Sequence, residues 1–270
     1  MDITELLKKP HLSASAINDY IDCGLLYRFG RVQKLPPEFK ADALEFGTVI
    51  HRVLADFYQS KMMGDKLLLK EIHELFEKYW RKAAEGRADI KYAEGKDFEI
   101  LLSEGKELLT VYYDKLPEDQ FQVLAIEEPV AFCVDDIPIL GYVDLLEEDE
   151  SGTLIVTDWK TSGRAYSMDE VNKNLQVTLY TMGLKRNGYA DREILLKFDC
   201  LIKTKKPKFE QYYTSRTDQD EKRTETKIRH VWEGITKKVF IPNDTSWKCT
   251  GCAYQKACTQ YLEGSHDQAA

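Results

Sequence analysis

Two aspartates and a lysine are the residues of this chain whose types and spacing best suit chemistry. Asp144 closes the stretch Gly141-Tyr142-Val143-Asp144, and Asp158 opens Asp158-Trp159-Lys160-Thr161. Read with period two, Leu154, Val156, Asp158 and Lys160 share one face of a strand, and Ile155, Thr157 and Trp159 share the other. Residues 137 to 147 read as a second strand, and Asp149 to Gly152 supply turn chemistry between the two. A hairpin centred on Ser151 sets Asp144 directly across from Asp158, with the Lys160 ammonium beside them. Carboxylates that close repel unless a cation lies between them, and a hard divalent cation takes oxygen ligands. The other reading is an exposed hairpin carrying a surface Asp-Lys pair.

The surrounding elements must hold this point in place. A helix is predicted from Ala41, with Phe46, Val49, Ile50, Val53, Leu54 and Phe57 on a core-facing stripe and His51 off it. Residues 66–84 and 96–116 read as two more helices, and 120–134 as a β-rich run whose Glu127 and Glu128 read as an exposed face, the other reading being a further carboxylate at the metal site. Ser167-Met168-Asp169-Glu170 is a capping box. The helix it starts carries Val171, Leu175, Leu179 and Met182 on its buried stripe, with Asn172, Gln176 and Tyr180 alongside. Strands over 193–202 and 209–214 extend the sheet, and a charged helix covers 218–238. Near the start, Ser13 is a candidate N-cap for a helix over 12–31.

Cysteines form the second constellation. Cys249-x-x-Cys252-x5-Cys258 places three thiols close together, and three do not close a tetrahedral site. Cys23 is the candidate fourth ligand, while Cys133 and Cys200 fall in apolar strand patterns and read as small buried hydrophobes. Zinc and an iron–sulfur cluster both remain open on the spacing alone.

Gly141-x-x-Asp144 followed by Asp158-x-Lys160-Thr161 resembles the PD-(D/E)XK nuclease superfamily, in its RecB and AddB branch. Gly47-x-x-x-His51 is similar to the pattern that precedes those motifs, and Gln176-x-x-x-Tyr180 to the one that follows. Leu12-Ser-x-Ser-x-Ile-x-x-Tyr-x-x-Cys23, together with the C-terminal three cysteines, resembles the iron–sulfur nucleases of that branch, the CRISPR adaptation nuclease among them. Those proteins usually carry proline after the first cysteine, where this chain has Gly24.

The resemblance implies an α/β fold: a central mixed sheet flanked by helices, with an iron–sulfur staple joining the chain's two ends. It implies one nuclease domain over 1–270, with a helical part at 11–116, a catalytic sheet core at 120–215, and a helix and cysteine cluster at 216–262. Asp144, Asp158 and His51 would hold Mg2+ or Mn2+, Lys160 would act beside the metal, and Gln176 and Tyr180 would place the strand. Cys23, Cys249, Cys252 and Cys258 would ligate a 4Fe-4S cluster. Closing the chain from Cys23 to Cys249 is a constraint on the order of 5 kcal/mol in the chain-entropy view of cross-links. The implied activity is metal-dependent cleavage of DNA, single strands or duplex ends, in exonuclease mode. A nuclease acting on RNA and a catalytically silent nucleic-acid-binding scaffold are the rival readings. A helicase or integrase partner is left open.

The bulk properties agree with a water-exposed globular domain. Of 270 residues, 43% are hydrophobic and 31% charged, enough for a sizeable core. No apolar run approaches the ~20 residues of a membrane span, and the polar residues 1–10 carry no secretory pattern, so a cytoplasmic location is expected. A net charge of −8 argues against broad non-specific nucleic-acid binding. Lysines 197, 203, 205, 206 and 208, followed by the basic residues of 222–238, could still line a local groove if they converge on Asp158; otherwise they form a solvated face.

Overall fold

Apolar runs such as Leu154-Ile155-Val156 and Leu195-Leu196, too continuous for a half-solvated strand, call for a sheet covered on both faces. The computed structural model, which describes residues 9–116 and 121–264, has that sheet. Its five strands lie side by side in chain order: β1 (Gln122–Val134), β2 (Ile137–Glu148), β3 (Leu154–Ser162), β4 (Ile194–Ile202) and β5 (Lys208–Thr214). Only β3 and β4 pair in parallel, so the sheet is mixed, as expected. The β2–β3 hairpin has the predicted register, Leu145 opposite Thr157 through Glu148 opposite Leu154. Its turn is held by Asp149 Oδ1, which accepts from the backbone of Ser151 and Thr153, both at 2.9 Å.

One face is covered by α2 (Asp42–Met62), α3 (Leu69–Ala84) and α4 (Phe98–Lys115). There Phe46, Phe76 and Trp80 pack with Leu145, Trp159 and Leu201 of the sheet. Against the other face lies α5 (Leu175–Leu184), over Val143, Val156 and Phe198. Beside it α1 (Ala14–Asp22) and α6 (Asp218–Thr236) bury Ile17 and Ile228 with Phe132 and Ile139. Burial on both faces rules out the exposed-hairpin reading. A last helix, α7 (Gln255–Leu262), carries Cys258. No helix among the described residues is long and apolar enough to cross a membrane.

Three expectations need correction. The helix predicted over 12–31 breaks at Cys23, which is extended (φ −165°, ψ 117°), and the chain resumes as a short turn and a π-helical segment. The cause is tertiary: Gly24 N donates to Ile241 O at 2.8 Å, and a Cβ on Gly24 would stand 2.5 Å from Ile241 N. No side chain fits there. The helix starting at Ser167 stops at Asn172, and α5 starts afresh after Asn174, whose side chain accepts from Val177 N. Asn172 therefore leaves the Gln176–Tyr180 stripe and instead accepts from Thr214 Oγ1 at 2.8 Å. Lys197 is not on a solvated face. It is buried and pairs with Glu147 at 3.1 Å. The predicted start of the β-rich run at Gln120 lies outside the described residues.

Candidate active site

The β2–β3 ladder ends at Leu145 and Thr157, while β3 runs on to Ser162 beside β4. The two strands part at this level, and the fork between them holds the carboxylates. Asp144 is the first residue past the ladder. Its Oδ2 accepts from Trp159 N at 2.8 Å, and its Oδ1 lies 3.4 Å from His51 Nδ1. Glu127, which would oppose Asp144 on β1, is exposed and left-handed at φ +50°.

His51 reaches this point because α2 lies close on β3. Gly47, one turn earlier, allows the approach, since a Cβ there would stand 3.2 Å from Thr161 Oγ1. The imidazole stands edge-on to Trp159 at 5.7 Å. Burial alone would lower the His51 pKa, but the hydrogen bond and charge of Asp144, with the charge of Asp158, outweigh it and leave it raised.

Asp158 is fully buried, and neither carboxylate oxygen takes a hydrogen bond. Lys160 Nζ lies 2.6 Å from Oδ2 as an ion pair. Burial pushes the Asp158 carboxyl up to about 6. The Lys160 charge opposes that rise and the Asp144 charge adds to it. Lys160 Nζ donates to Gln176 Oε1 at 2.8 Å, and Gln176 Nε2 donates to Tyr180 Oη at 2.6 Å. Burial works against the Lys160 ammonium, yet the two aspartates hold its pKa above the ordinary lysine value. Gly141 makes room for the Tyr180 ring, which would stand 3.1 Å from a Cβ at that position. His51, Asp144, Asp158, Lys160, Gln176 and Tyr180 thus form one connected cluster, drawn from α2, β2, β3 and α5.

A buried carboxylate with no hydrogen bond is costly unless a cation satisfies it. Lys160 supplies one positive charge to two carboxylates, so the set of donors fits a hard divalent cation beside Lys160. Among the described residues no three His, Cys, Asp or Glu side chains stand together as a ready metal site, here or among the cysteines.

A family model described as the PD-(D/E)XK nuclease superfamily matches residues 11–259, nearly the whole chain. The chain belongs to the PD-(D/E)XK nuclease superfamily. Members of that superfamily generally use divalent metals such as Mg2+. Among solved structures, a candidate exonuclease from Eubacterium rectale is similar at a TM-score of 0.57 and 11% identity, over 92% of this chain and 90% of that one, a likeness of fold. SSO0001 overlays more loosely, with a TM-score of 0.42 and 14% identity, over 94% of this chain and 90% of that one. No curated protein matches.

The four cysteines of this PD-(D/E)XK protein, Cys23, Cys249, Cys252 and Cys258, line one apolar pocket near the two ends of the domain. All four are partly exposed free thiols. Burial raises the Cys252 and Cys258 pKa values, and the neighbouring cysteines add to the rise. Cys200 is buried and Cys133 half-buried, both in strands.

Sequence reasoning missed a second polar cluster, on the opposite sheet face from Gln176. Glu147, Lys197 and Asp199 are all buried there, with Gln211 Nε2 donating to Asp199 Oδ1 at 2.9 Å and Tyr112 Oη to Oδ2 at 3.3 Å. The signal was present: Lys197 and Asp199 alternate with apolar residues inside a strand buried on both faces.

Proposed function

We propose that the chain hydrolyses phosphodiester bonds of DNA, with Mg2+ or Mn2+ held by His51, Asp144 and Asp158. The observation that carries this reading is the fully buried Asp158 carboxylate, free of hydrogen bonds beside Asp144 and Lys160. A divalent ion held by these residues would supply Lewis-acid chemistry, stabilising phosphate charge and lowering the pKa of a water. Lys160 orients that water and stabilises charge developing on the phosphate. Gln176 fixes the Lys160 ammonium through its amide oxygen, and Tyr180 fixes Gln176 in turn. Trp159 N and His51 orient Asp144. Exonuclease action is the mode that the sequence resemblance implies.

The pocket lined by Cys23, Cys249, Cys252 and Cys258 supports a second element of the reading, a 4Fe-4S cluster with a structural role. Four thiols on an apolar pocket match thiolate ligation, and thiols kept reduced suit the cytoplasm expected from the sequence. The deciding experiment is purified protein with end-labelled single-stranded, duplex and circular DNA, and labelled RNA, with magnesium, manganese or chelator. Cleavage of linear DNA that needs the metal is expected. Equal cleavage in chelator sinks the metal assignment, and cleavage of RNA alone moves the substrate to the rival reading.

A further inference from the structure

Packing alone orients the Trp159 indole, because its Nε1 is buried and has no hydrogen-bond partner among the described residues. Two residues of α2 pack on it. His51 stands edge-on to the indole and Tyr58 stacks on it at an interplanar angle of 23°, each with its ring centre 5.7 Å away. Tyr58 is seven residues past His51, two helical turns or about 10 Å at ~1.5 Å per residue, which returns both side chains to one face of α2. The indole therefore sits between two side chains of the same helix. Sliding α2 along β3 in either direction drives one of those rings into it, and a close-packed interior resists that.

The Tyr58 end is anchored in turn. Tyr58 Oη and Tyr112 Oη are 2.9 Å apart, and Tyr112 Oη donates to Asp199 Oδ2 at 3.3 Å, so Tyr58 is the donor to Tyr112. Asp199 is the cross-strand neighbour of Trp159 in the β3–β4 ladder. The path from Trp159 through Tyr58, Tyr112 and Asp199 thus closes on the strand beside Trp159, and it ties α2 and α4 to one level of the sheet. Tyr58 is 3% exposed, Tyr112 2%, and Asp199 fully buried, so this path holds structure and meets no ligand. Two phenylalanines would fill the same space without burying polar groups. What the hydroxyls add is direction.

Direction matters most where the path ends, at the imidazole. His51 Nδ1 lies 3.4 Å from Asp144 Oδ1, so a small shift of α2 separates the two. We propose that Tyr58 is a positioning residue of the metal site: through the Trp159 indole it fixes the His51 imidazole against Asp144, from the far side of a buried stack. The proposal rests on the metal-dependent hydrolase reading and adds to it a residue that acts only through another side chain.

The test uses the full chain and reads manganese binding, from the paramagnetic resonance of the free ion, with denaturant unfolding in chelator alongside. Tyr58→Leu keeps the position apolar and removes the stack. It should weaken manganese binding about tenfold, the low end of what a residue behind a metal ligand contributes. Tyr58→Phe restores the ring and should leave a loss of about threefold, the scale of one neutral hydrogen bond. The comparison is then repeated in a His51→Ala chain. There Tyr58→Leu should change manganese affinity by less than about twofold, because the group it positions is gone. A loss of the same size with and without His51 overturns the proposal, since Tyr58 then acts through the fold at large. Parental affinity in a folded Tyr58→Leu protein overturns it as well. Should Tyr58→Leu fail to fold, Trp159→Phe opens the same gap from the sheet side while its backbone amide still serves Asp144, and it should show the same dependence on His51. A parent that binds no manganese removes the metal reading and the positioning role together. A parent that binds manganese and cleaves, with no dependence on His51, removes the positioning role alone.

Discussion

The backbone amide of Trp159 donates to Asp144 Oδ2 at 2.8 Å, so the residue between Asp158 and Lys160 anchors the facing carboxylate on the neighbouring strand. Asp144 would otherwise be free to turn into the gap where β2 and β3 part. The bond ties the orientation of one metal-ligand candidate to the backbone that presents the other.

Lys160→Ala should reduce DNA cleavage about a hundred- to a thousandfold, on the scale of losing an electrostatic donor aimed at developing charge. It also leaves the buried Asp158 carboxylate with no charged partner but a bound cation. The melting temperature should therefore stay near the parent's in magnesium and fall in chelator, and calorimetry under both conditions reads the difference. Parental cleavage by this variant would remove Lys160 from the mechanism.

Metal affinity should depend on pH through Asp158, whose carboxyl is raised from 3.8 to about 6. A raised carboxyl stabilises the metal-free fold through its proton. That contribution is full below about pH 3.8 and is lost as the pH rises through about 6. A bound ion needs the ionised form, so the dependence of affinity has the opposite sign. Manganese affinity should rise at least about tenfold per pH unit up to about pH 6 through Asp158, and go on rising above it until His51 is neutral as well. The raised His51 pKa pushes in the same direction. Isothermal titration between pH 5 and 8 checks this, and a flat profile contradicts it.

Gly47→Leu should separate α2 from β3, because even a Cβ at this position comes within 3.2 Å of Thr161 Oγ1. His51 would move with the helix. Manganese affinity should drop about tenfold or more, with a modest loss of stability from the displaced packing. Parental affinity in a folded Gly47→Leu protein would show that His51 does not hold the ion.

The buried pair Lys197–Glu147 gives a test of stability alone. Lys197→Met strands a carboxylate that is only 3% exposed, which should cost about 3–5 kcal/mol in denaturant unfolding. The double change Lys197→Met with Glu147→Gln should recover most of it. A neutral single mutant would mean water reaches Glu147 freely.

Anaerobically purified protein should be brown and contain iron, and Cys252→Ala should lose that iron and lower the melting temperature. Stoichiometric zinc without iron would replace the cluster by a structural zinc site.

The fork was legible in the sequence because its information is local. Period-two alternation and the Asp149–Gly152 turn determine the register that brings Asp144 to Asp158; Gly47 and Gly141 stood in the sequence only as motif positions, and the close approaches of α2 and Tyr180 that they allow are tertiary. The break at Cys23 was not legible, since its cause is Ile241, far along the chain. The split before α5 was visible in principle, because Asn174 is a good N-cap, but the capping box at Ser167 drew attention to an earlier start. Lys197 was read as part of a basic face because charge was counted along the sequence, whereas its burial follows from strand alternation across the sheet.

The clasp at Gly24 sets an order of events during synthesis. Gly24 N bonds to Ile241 O, and Asp22 O accepts from Asn243 Nδ2, 221 residues further on. A ribosome adding 5–20 residues per second needs about 10–40 s to make that span. Over that interval the segment around Cys23 has emerged with its partner strand of backbone still unmade, and its thiol is open to whatever first meets it. Assembly of anything held by Cys23 and the C-terminal thiols therefore comes last, after the sheet and the fork have had time to form.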